Sequence, residues 1–194
     1  MQTSLLPIFP LSIFILPKGR QKLRIFEEKY LNMVTHSLEN TGFIIAHPSS
    51  NNIDKAVSPV SHWGTLVKIV DFNQGEDSVL LIDVEGHHLV SLQGFEYQED
   101  GLLLGEYQTR QHWPNNEAPH PPTPILVATL KEMFYQYQEL QQMYPTPDFD
   151  NAQWVNARLL EVIPAPFMIK AHFIQPDSFS ALTSFLITYI QGKN

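Results

Sequence analysis

The N-terminal stretch of this chain constrains its fold more than any other part of the sequence. An apolar run over residues 5–16 is interrupted and closed by prolines. These prolines are Pro7, Pro10 and Pro17. Proline lacks a backbone N–H, so it favours strand ends, edges and bends over a helix interior. From Phe26 onward the apolar residues instead recur at the spacing of one helix face. The pattern therefore predicts a strand, a basic turn, a second strand and a helix over residues 27–40.

Three motifs in this stretch occur in a fixed order. They are Leu6-Pro7-Ile8-Phe9-Pro10-Leu11, Leu16-Pro17-Lys18-Gly19 and Leu23-Arg24-Ile25-Phe26-Glu27-Glu28-Lys29-Tyr30-Leu31-Asn32-Met33. The series resembles the opening of the LON-type substrate-recognition domain, the N-terminal module of the ATP-dependent protease Lon. Lys29 stands where that family usually has arginine, which preserves the charge but not a planar bidentate donor.

Later segments extend the resemblance over nearly the whole chain, although it is weak between residues 94 and 150. Residues 64–69 and 82–89 are similar to two strand signals of the family, and residues 156–165 to one of its helices. His88-Leu89 replaces the usual Arg-Phe, which puts in doubt any role for an arginine there. The resemblance implies structural roles for Pro7, Phe9, Pro10, Arg24, Phe26, Glu27, Tyr30 and Gly86. Of these, Arg24, Glu27 and Tyr30 are expected to hold the barrel to the first helix.

Short apolar segments follow the first helix. They predict strands at residues 43–47, 63–72, 78–84, 87–92 and 102–107. Glu85-Gly86 is a candidate bulge or bend, and the polar residues 48–59 predict an exposed loop. Strands at such regular spacing are typical of a small, closed or half-closed antiparallel barrel.

The remainder of the chain has helical patterning. Residues 111–124 contain five prolines and predict an extended connector. Beyond it, apolar stripes predict a long helix ending before Pro145, a second helix, and a last one capped by Asp177 or Ser178.

The predicted fold class is therefore α+β. We expect a PUA-like antiparallel β-barrel subdomain of the LON type over residues 1–118, including the helix at 27–40. A helical subdomain of three or four helices is expected over residues 119–194. A chain of 194 residues buries enough surface to fold without disulfide bonds or a structural metal.

Composition excludes several classes of function. The chain has no cysteine, so disulfides, thiolate zinc sites and a cysteine nucleophile are absent. Twenty acidic and twelve basic residues give a formal charge of −8, which opposes nucleic-acid binding. The basic cluster around the first turn is interpreted as a solvated turn; its members are Lys18, Arg20, Lys22 and Arg24.

The apolar N-terminal run lacks a basic flank and is broken by proline. We therefore expect neither a signal peptide nor a membrane-spanning segment, and we expect a cytoplasmic location.

The sequence also lacks common nucleotide-binding and catalytic motifs. It contains no phosphate-binding loop, no G-x-S-x-G elbow and no H-E-x-x-H helix. We therefore expect a stand-alone recognition module with neither an ATPase nor a Ser-Lys peptidase domain, without catalytic residues and without cofactor. Among the eight histidines, His87 and His88 are predicted to point to opposite faces of a strand and not to share a metal.

The resulting hypothesis is a non-catalytic module that recognises unfolded polypeptide or client proteins, with a separate ATPase or protease as a candidate partner. Its candidate peptide-binding residues are the aromatic side chains Trp113, Tyr135 and Tyr144, since one helix face cannot bury them all. The alternative is a PUA-like nucleic-acid-binding module, and a second rival is a small hydrolase. The sequence leaves the clients and the oligomeric state open.

Overall fold

The computed structural model describes residues 5–39, 42–49, 58–75, 79–113 and 121–192. The chain forms two compact units, Met1–Arg110 and Gln111–Asn194. The predicted subdomain boundary at 118/119 and most of the predicted loop at 48–59 fall outside the described residues. The described elements of the first unit are β1 (Leu5–Pro10), β2 (Arg20–Ile25), α1 (Glu28–Glu39), β3 (Phe43–Ala46), β4 (Trp63–Gln74), β5 (Leu80–Tyr97) and β6 (Leu103–Arg110). The strand–turn–strand–helix order predicted for the N-terminus is confirmed.

The six strands form one sheet in the order β2-β5-β4-β3-β1-β6. Strand β5 also pairs with β6, so five strands make a closed ring and β2 is attached outside it on β5. Five of these pairings are antiparallel and one is parallel, since β1 and β3 run in the same direction. A parallel pair needs a long crossover, which the chain supplies with β2 and α1.

Strand β1 tolerates two prolines because of where its neighbours begin. It pairs with β6 from Leu5 to Ile8, but with β3 only from Ile8 onward. Pro7 therefore lies where β1 has a strand neighbour on one side only, and Pro10 is its last residue. This agrees with the expectation that the prolines mark edges and ends of strands.

Strand β5 replaces two predicted strands. The predicted strands at 78–84 and 87–92 are one continuous strand of 18 residues. Opposite β4, Leu66 pairs with His88 and Val67 with Gly86, so His87 is an extra residue in β5. The turn signal at Glu85-Gly86 thus marks a β-bulge that bends the strand without ending it.

Gly86 lets the N-terminal turn lie directly on this bulge. A Cβ atom at Gly86 would overlap the carbonyl oxygen of Leu16. The Gly86 N–H donates to Gly19 O (2.8 Å), and Gly86 O accepts from Lys18 N (2.7 Å). The hydroxyl of Thr65 on β4 donates to Ile15 O (2.6 Å), so two neighbouring strands hold the same turn.

The sheet encloses two apolar clusters. The larger one combines α1 with β2, β3 and β5, and its fully buried side chains include Ile25, Met33, Phe43 and Ile82. Phe26, predicted to continue the helix stripe, is instead 69% exposed because it lies between the end of β2 and the start of α1. The smaller cluster lies around Ile8 and Ile44.

The second unit contains five described helices. They are α2 (Pro124–Gln136), α3 (Gln138–Met143), α4 (Ala152–Val162), α5 (Phe167–His172) and α6 (Phe179–Gln191). The predicted long helix is wrong as a single element, because Tyr137 takes the extended backbone angles φ −114° and ψ 100° and separates α2 from α3. Ser178 occupies the N-cap position of α6, but its hydroxyl donates to Phe173 O and Gln175 O and does not cap the helix.

The core of the second unit combines aromatic rings with a buried ion pair. Phe134, Tyr144, Phe149 and Trp154 pack together with ring centroids 5.2 to 6.1 Å apart. The guanidinium of Arg158, whose side chain is 3% exposed, makes two hydrogen bonds of 2.7 and 2.8 Å to the Glu161 carboxylate. Its charge is thereby paired inside the unit, as a buried charge must be.

The close approach at Gly86 predicts a large cost for a single methyl group. We expect Gly86→Ala to lower the free energy of unfolding by about 3 kcal/mol, because the backbone of the turn has to move away from β5. Urea unfolding followed by circular dichroism measures the difference. Gly101→Ala is the matched control: its φ is +81°, but an added Cβ meets no atom within 4 Å. This control should cost only about 1 kcal/mol, and an equal cost for both variants would contradict the packing argument.

His112 gives the second unit an acid-sensitive stability. Burial lowers the pKa of His112 from 6.5 to about 4. Between these values the unfolded chain binds a proton that the folded chain does not, so stability falls as pH falls from 6.5 to 4. This difference in the pKa of His112 between the unfolded and folded chain lowers the free energy of unfolding by at most about 3 kcal/mol at acid pH. Urea unfolding at several pH values should show a shallower decrease for His112→Gln than for the wild type, and parallel profiles would contradict the assignment.

Candidate functional site

A pocket of about 300 Å³ opens on the first unit where several elements end. Its lining residues are Pro10, Lys29, Tyr30, Pro59, Tyr97, Gly101 and Leu103. The end of β1, the first turn of α1 and the turn between β5 and β6 meet here because Leu103 pairs with Ile8 on one side and Tyr97 on the other. The volume lies at the lower end of ligand pockets, which suits one or two side chains of a ligand.

Tyr30 anchors the helix side of the pocket. Its ring packs on Phe9 of β1 with centroids 4.4 Å apart, and Phe9 in turn meets the edge of Phe43. Burial raises the pKa of Tyr30 above 10.0, so its hydroxyl is protonated and able to donate at neutral pH.

Lys29 supplies the one charge among the residues that line the pocket. Its ammonium lies 3.3 Å from the Glu27 carboxylate and 4.9 Å from the centre of the Tyr30 ring. Burial by itself lowers the pKa of Lys29, but Tyr30 and Glu27 outweigh it and raise the pKa above 10.5. Lys29 is therefore a charged donor at neutral pH whose charge is already matched by Glu27.

The turn between β5 and β6 forms the open rim. It is closed by hydrogen bonds from Gln98 N to Leu102 O (2.9 Å) and from Gly101 N to Gln98 O (2.9 Å). Asp100 fixes its last residue by accepting from Leu102 N (2.9 Å). Gly101 faces open space, and the Tyr97 ring is 66% exposed. A well-ordered turn thus presents an uncovered aromatic ring beside the pocket.

The residues of the LON-type motif are spread over the first unit. Pro10 and Tyr30 line the pocket, and Phe9 lies directly behind Tyr30. Glu27 is placed by its ion pair with Lys29 in the same helical turn. Arg24 is exposed on β2 and makes no hydrogen bond or ion pair within the described part of the chain, so the structure does not support a link from Arg24 to α1. Tyr30, by contrast, contacts β1 through the ring of Phe9.

Two of the three candidate peptide-binding residues lie in the core of the second unit. Trp113 is 4% exposed and donates from Nε1 to Phe173 O (2.8 Å), and Tyr144 is 8% exposed within the aromatic cluster. Their burial does not support a direct contact of these two rings with a peptide. Tyr135 is 87% exposed and stays a candidate. Sequence reasoning missed Tyr97 and Pro59, which reach the pocket from distant segments that share no motif.

Three apolar side chains are exposed near the far end of β4 and β5. Val70, Phe72 and Leu81 are 45%, 59% and 37% exposed. Val70 is the extra residue in a second register shift between these strands. Phe72 pairs with Ile82, the neighbour of Leu81, so Phe72 and Leu81 lie on opposite faces of the two strands and do not form one patch.

Half of the candidate basic cluster is neutralised by carboxylates. Arg20 pairs with Glu85 and Lys22 with Asp83, each at 2.8 Å. These cross-strand pairs lie on the outer face of β2 and β5. With two of four cations matched, the strip offers little charge to phosphates.

The two adjacent histidines differ from the sequence prediction. Because His87 is the extra residue of the bulge, His87 and His88 both lie between the buried positions Gly86 and Leu89. Their ring centroids are 6.0 Å apart, so the expectation of opposite faces is wrong. Over the described ranges, no group of three or more His, Asp or Glu residues is placed to hold a metal ion.

Solved structures share this fold. The Lon N-terminal domain protein from Xanthomonas campestris aligns with a TM-score of 0.70 and 24% identity, over 96% of this chain and 98% of that chain. The N-terminal domain of the Mycobacterium avium complex Lon protease aligns with a TM-score of 0.56 and 12% identity, over 96% and 97%. The fold is thus that of a Lon N-terminal domain.

Sequence comparison identifies the family. Residues 5–158 match the ATP-dependent protease La (LON) substrate-binding domain, and the chain belongs to this family. No curated protein matches the chain significantly. The matched family describes the substrate-binding part of that protease, not its catalytic parts. Among the helices that the structure describes, none is long and apolar enough to cross a membrane.

The environments of the two pocket tyrosines predict that replacing each by alanine affects stability to a different extent. We expect Tyr30→Ala to lower the free energy of unfolding by about 2 kcal/mol, because it removes the ring that packs on Phe9. Tyr97→Ala should change it by less than about 0.5 kcal/mol, since its ring is mostly exposed. Urea unfolding compares the two, with Tyr30→Phe as the control that keeps the ring. A large loss with Tyr97→Ala would show that Tyr97 is structural.

Proposed function

We propose that this protein is a non-catalytic module that recognises unfolded polypeptide through the pocket beside Tyr97. The observation that carries the proposal is an exposed aromatic ring on an ordered turn, next to a pocket of side-chain size with both apolar and polar walls. Unfolded chains expose apolar side chains, and such a pocket buries one or two of them. Membership of a substrate-binding family supports the same function.

The electrostatics of the site support a mainly apolar mode of binding. Lys29 is paired with Glu27, and the lining includes three rigid or aliphatic residues, Pro10, Pro59 and Leu103. Binding by apolar burial depends little on salt, whereas phosphate binding weakens steeply as salt is added. A separate ATPase or protease would act on the polypeptide that this module holds.

Binding of an unfolded probe tests the proposal directly. A permanently unfolded, fluorescently labelled polypeptide should bind with a Kd of about a micromolar or weaker, because a single small pocket supplies little buried area. Fluorescence anisotropy should give a similar Kd at about 50 and about 500 mM salt. No binding would overturn the proposal. Tight binding of single-stranded RNA that is lost at high salt would favour the nucleic-acid alternative instead.

Matched tyrosine variants locate the binding surface. Tyr97→Ala should weaken binding of the unfolded probe by about tenfold, because it removes the exposed ring at the pocket rim. Tyr135→Ala removes an even more exposed ring from the second unit and should leave binding unchanged. Phe72→Ala tests the exposed ring on β4 in the same way. A loss confined to Tyr135→Ala or Phe72→Ala would place the binding surface elsewhere and contradict the role of this pocket.

A further inference from the structure

We infer that the pocket beside Tyr97 selects a proline-containing, extended segment of the polypeptide. This inference rests on the proposed function and names the ligand class of the same site. Three properties of the pocket carry it: its hydrogen-bonding groups, its charge and its shape.

All three polar side chains that line the pocket can donate hydrogen bonds. Lys29 offers an ammonium that only donates, Tyr30 and Tyr97 offer hydroxyls that donate or accept, and no lining side chain is a carboxylate or an amide. A ligand rich in acceptors can therefore pair with all three side chains, whereas a ligand N–H has only the two hydroxyl oxygens among them to accept it. Proline has no backbone N–H, and a polyproline II segment leaves its carbonyls without internal hydrogen bonds. Such a segment presents acceptors to all three donors without burying an unmatched N–H.

The charge of the site favours a neutral acceptor over an anion. A carboxylate ligand would also accept from these donors, but Glu27 already lies 3.3 Å from the Lys29 ammonium. The chain as a whole carries a formal charge of −8, which repels anions further. A peptide carbonyl satisfies Lys29 without competing against Glu27 for its charge.

The shape of the site suits a rigid ring. Tyr97 presents an aromatic ring, and Pro10, Pro59 and Leu103 give the pocket apolar walls. Aromatic-lined grooves bind proline rings in this way, and the pre-formed polyproline II conformation lowers the entropy lost on binding. The Tyr30 ring already contacts Phe9 and lies under the Lys29 ammonium, so Tyr30 contributes its hydroxyl and leaves the ring contact to Tyr97.

Paired peptides test this selection. One probe is a short, uncharged, acetylated and amidated fluorescent peptide with a proline-rich centre, and the other carries alanine at each proline. We expect the proline peptide to bind the 194-residue protein about tenfold more tightly, as measured by anisotropy.

A steric variant makes the test specific to the pocket. Gly101→Asn places a side chain in the open space at the rim, and asparagine tolerates the positive φ of Gly101. This variant and Tyr97→Ala should each abolish the preference for proline, while Tyr135→Ala should preserve it. Circular dichroism confirms that each variant is folded.

The outcomes separate this inference from the proposed function. If the unfolded polypeptide binds in a Tyr97-dependent manner but the two peptides bind equally, the selection for proline is wrong and the proposed function stands. If neither the polypeptide nor the peptides bind, both fail. If a free C-terminal carboxylate increases affinity and proline does not, the pocket is an anion site and the inference is overturned.

Discussion

The contact between the N-terminal turn and the bulge of β5 organises the first unit. At Gly86 the absence of a Cβ lets the backbone of residues 16–19 hydrogen-bond directly to β5, and Thr65 on β4 secures the same turn. This contact determines where β2 begins, and hence where its register on β5 places the start of α1. A packed core does not deform continuously, so a shift of this turn would propagate to everything that follows it.

The pocket is a consequence of that arrangement. Its side chains come from the ends of rigid elements: Pro10 ends β1, Tyr30 lies in the first turn of α1 and Tyr97 ends β5. Strand pairing of β6 with both β1 and β5 brings these ends together. The donors and the aromatic ring are therefore held in place before a ligand arrives, which lowers the entropy lost on binding.

Local patterns in the sequence predicted local structure well. The proline-broken run and the helical spacing that follows it predicted β1, β2 and α1, because strand ends and helix faces are determined by neighbouring residues. The sequence did not reveal the break at Tyr137, since neither proline nor glycine marks it and the apolar spacing continues through it. Nor did it separate the buried Trp113 and Tyr144 from the exposed Tyr97, because exposure of an aromatic ring depends on tertiary packing. The pocket brings together residues as far apart in the sequence as Pro10 and Leu103. Local periodicity carries no information about contacts over such a separation.

The pairing of β1 with both β3 and β6 has a consequence for how the protein is made. Strand β1 is synthesised before both of its partners, and one of them begins only at Leu103. During translation, the ring therefore cannot close until the roughly hundred residues that separate β1 from β6 have left the ribosome. Such non-local pairing slows folding and leaves an unpaired strand edge exposed in the meantime. The prolines in β1 weaken that edge as a template for pairing with other chains, so they protect the nascent chain from aggregation as well as shaping the finished strand.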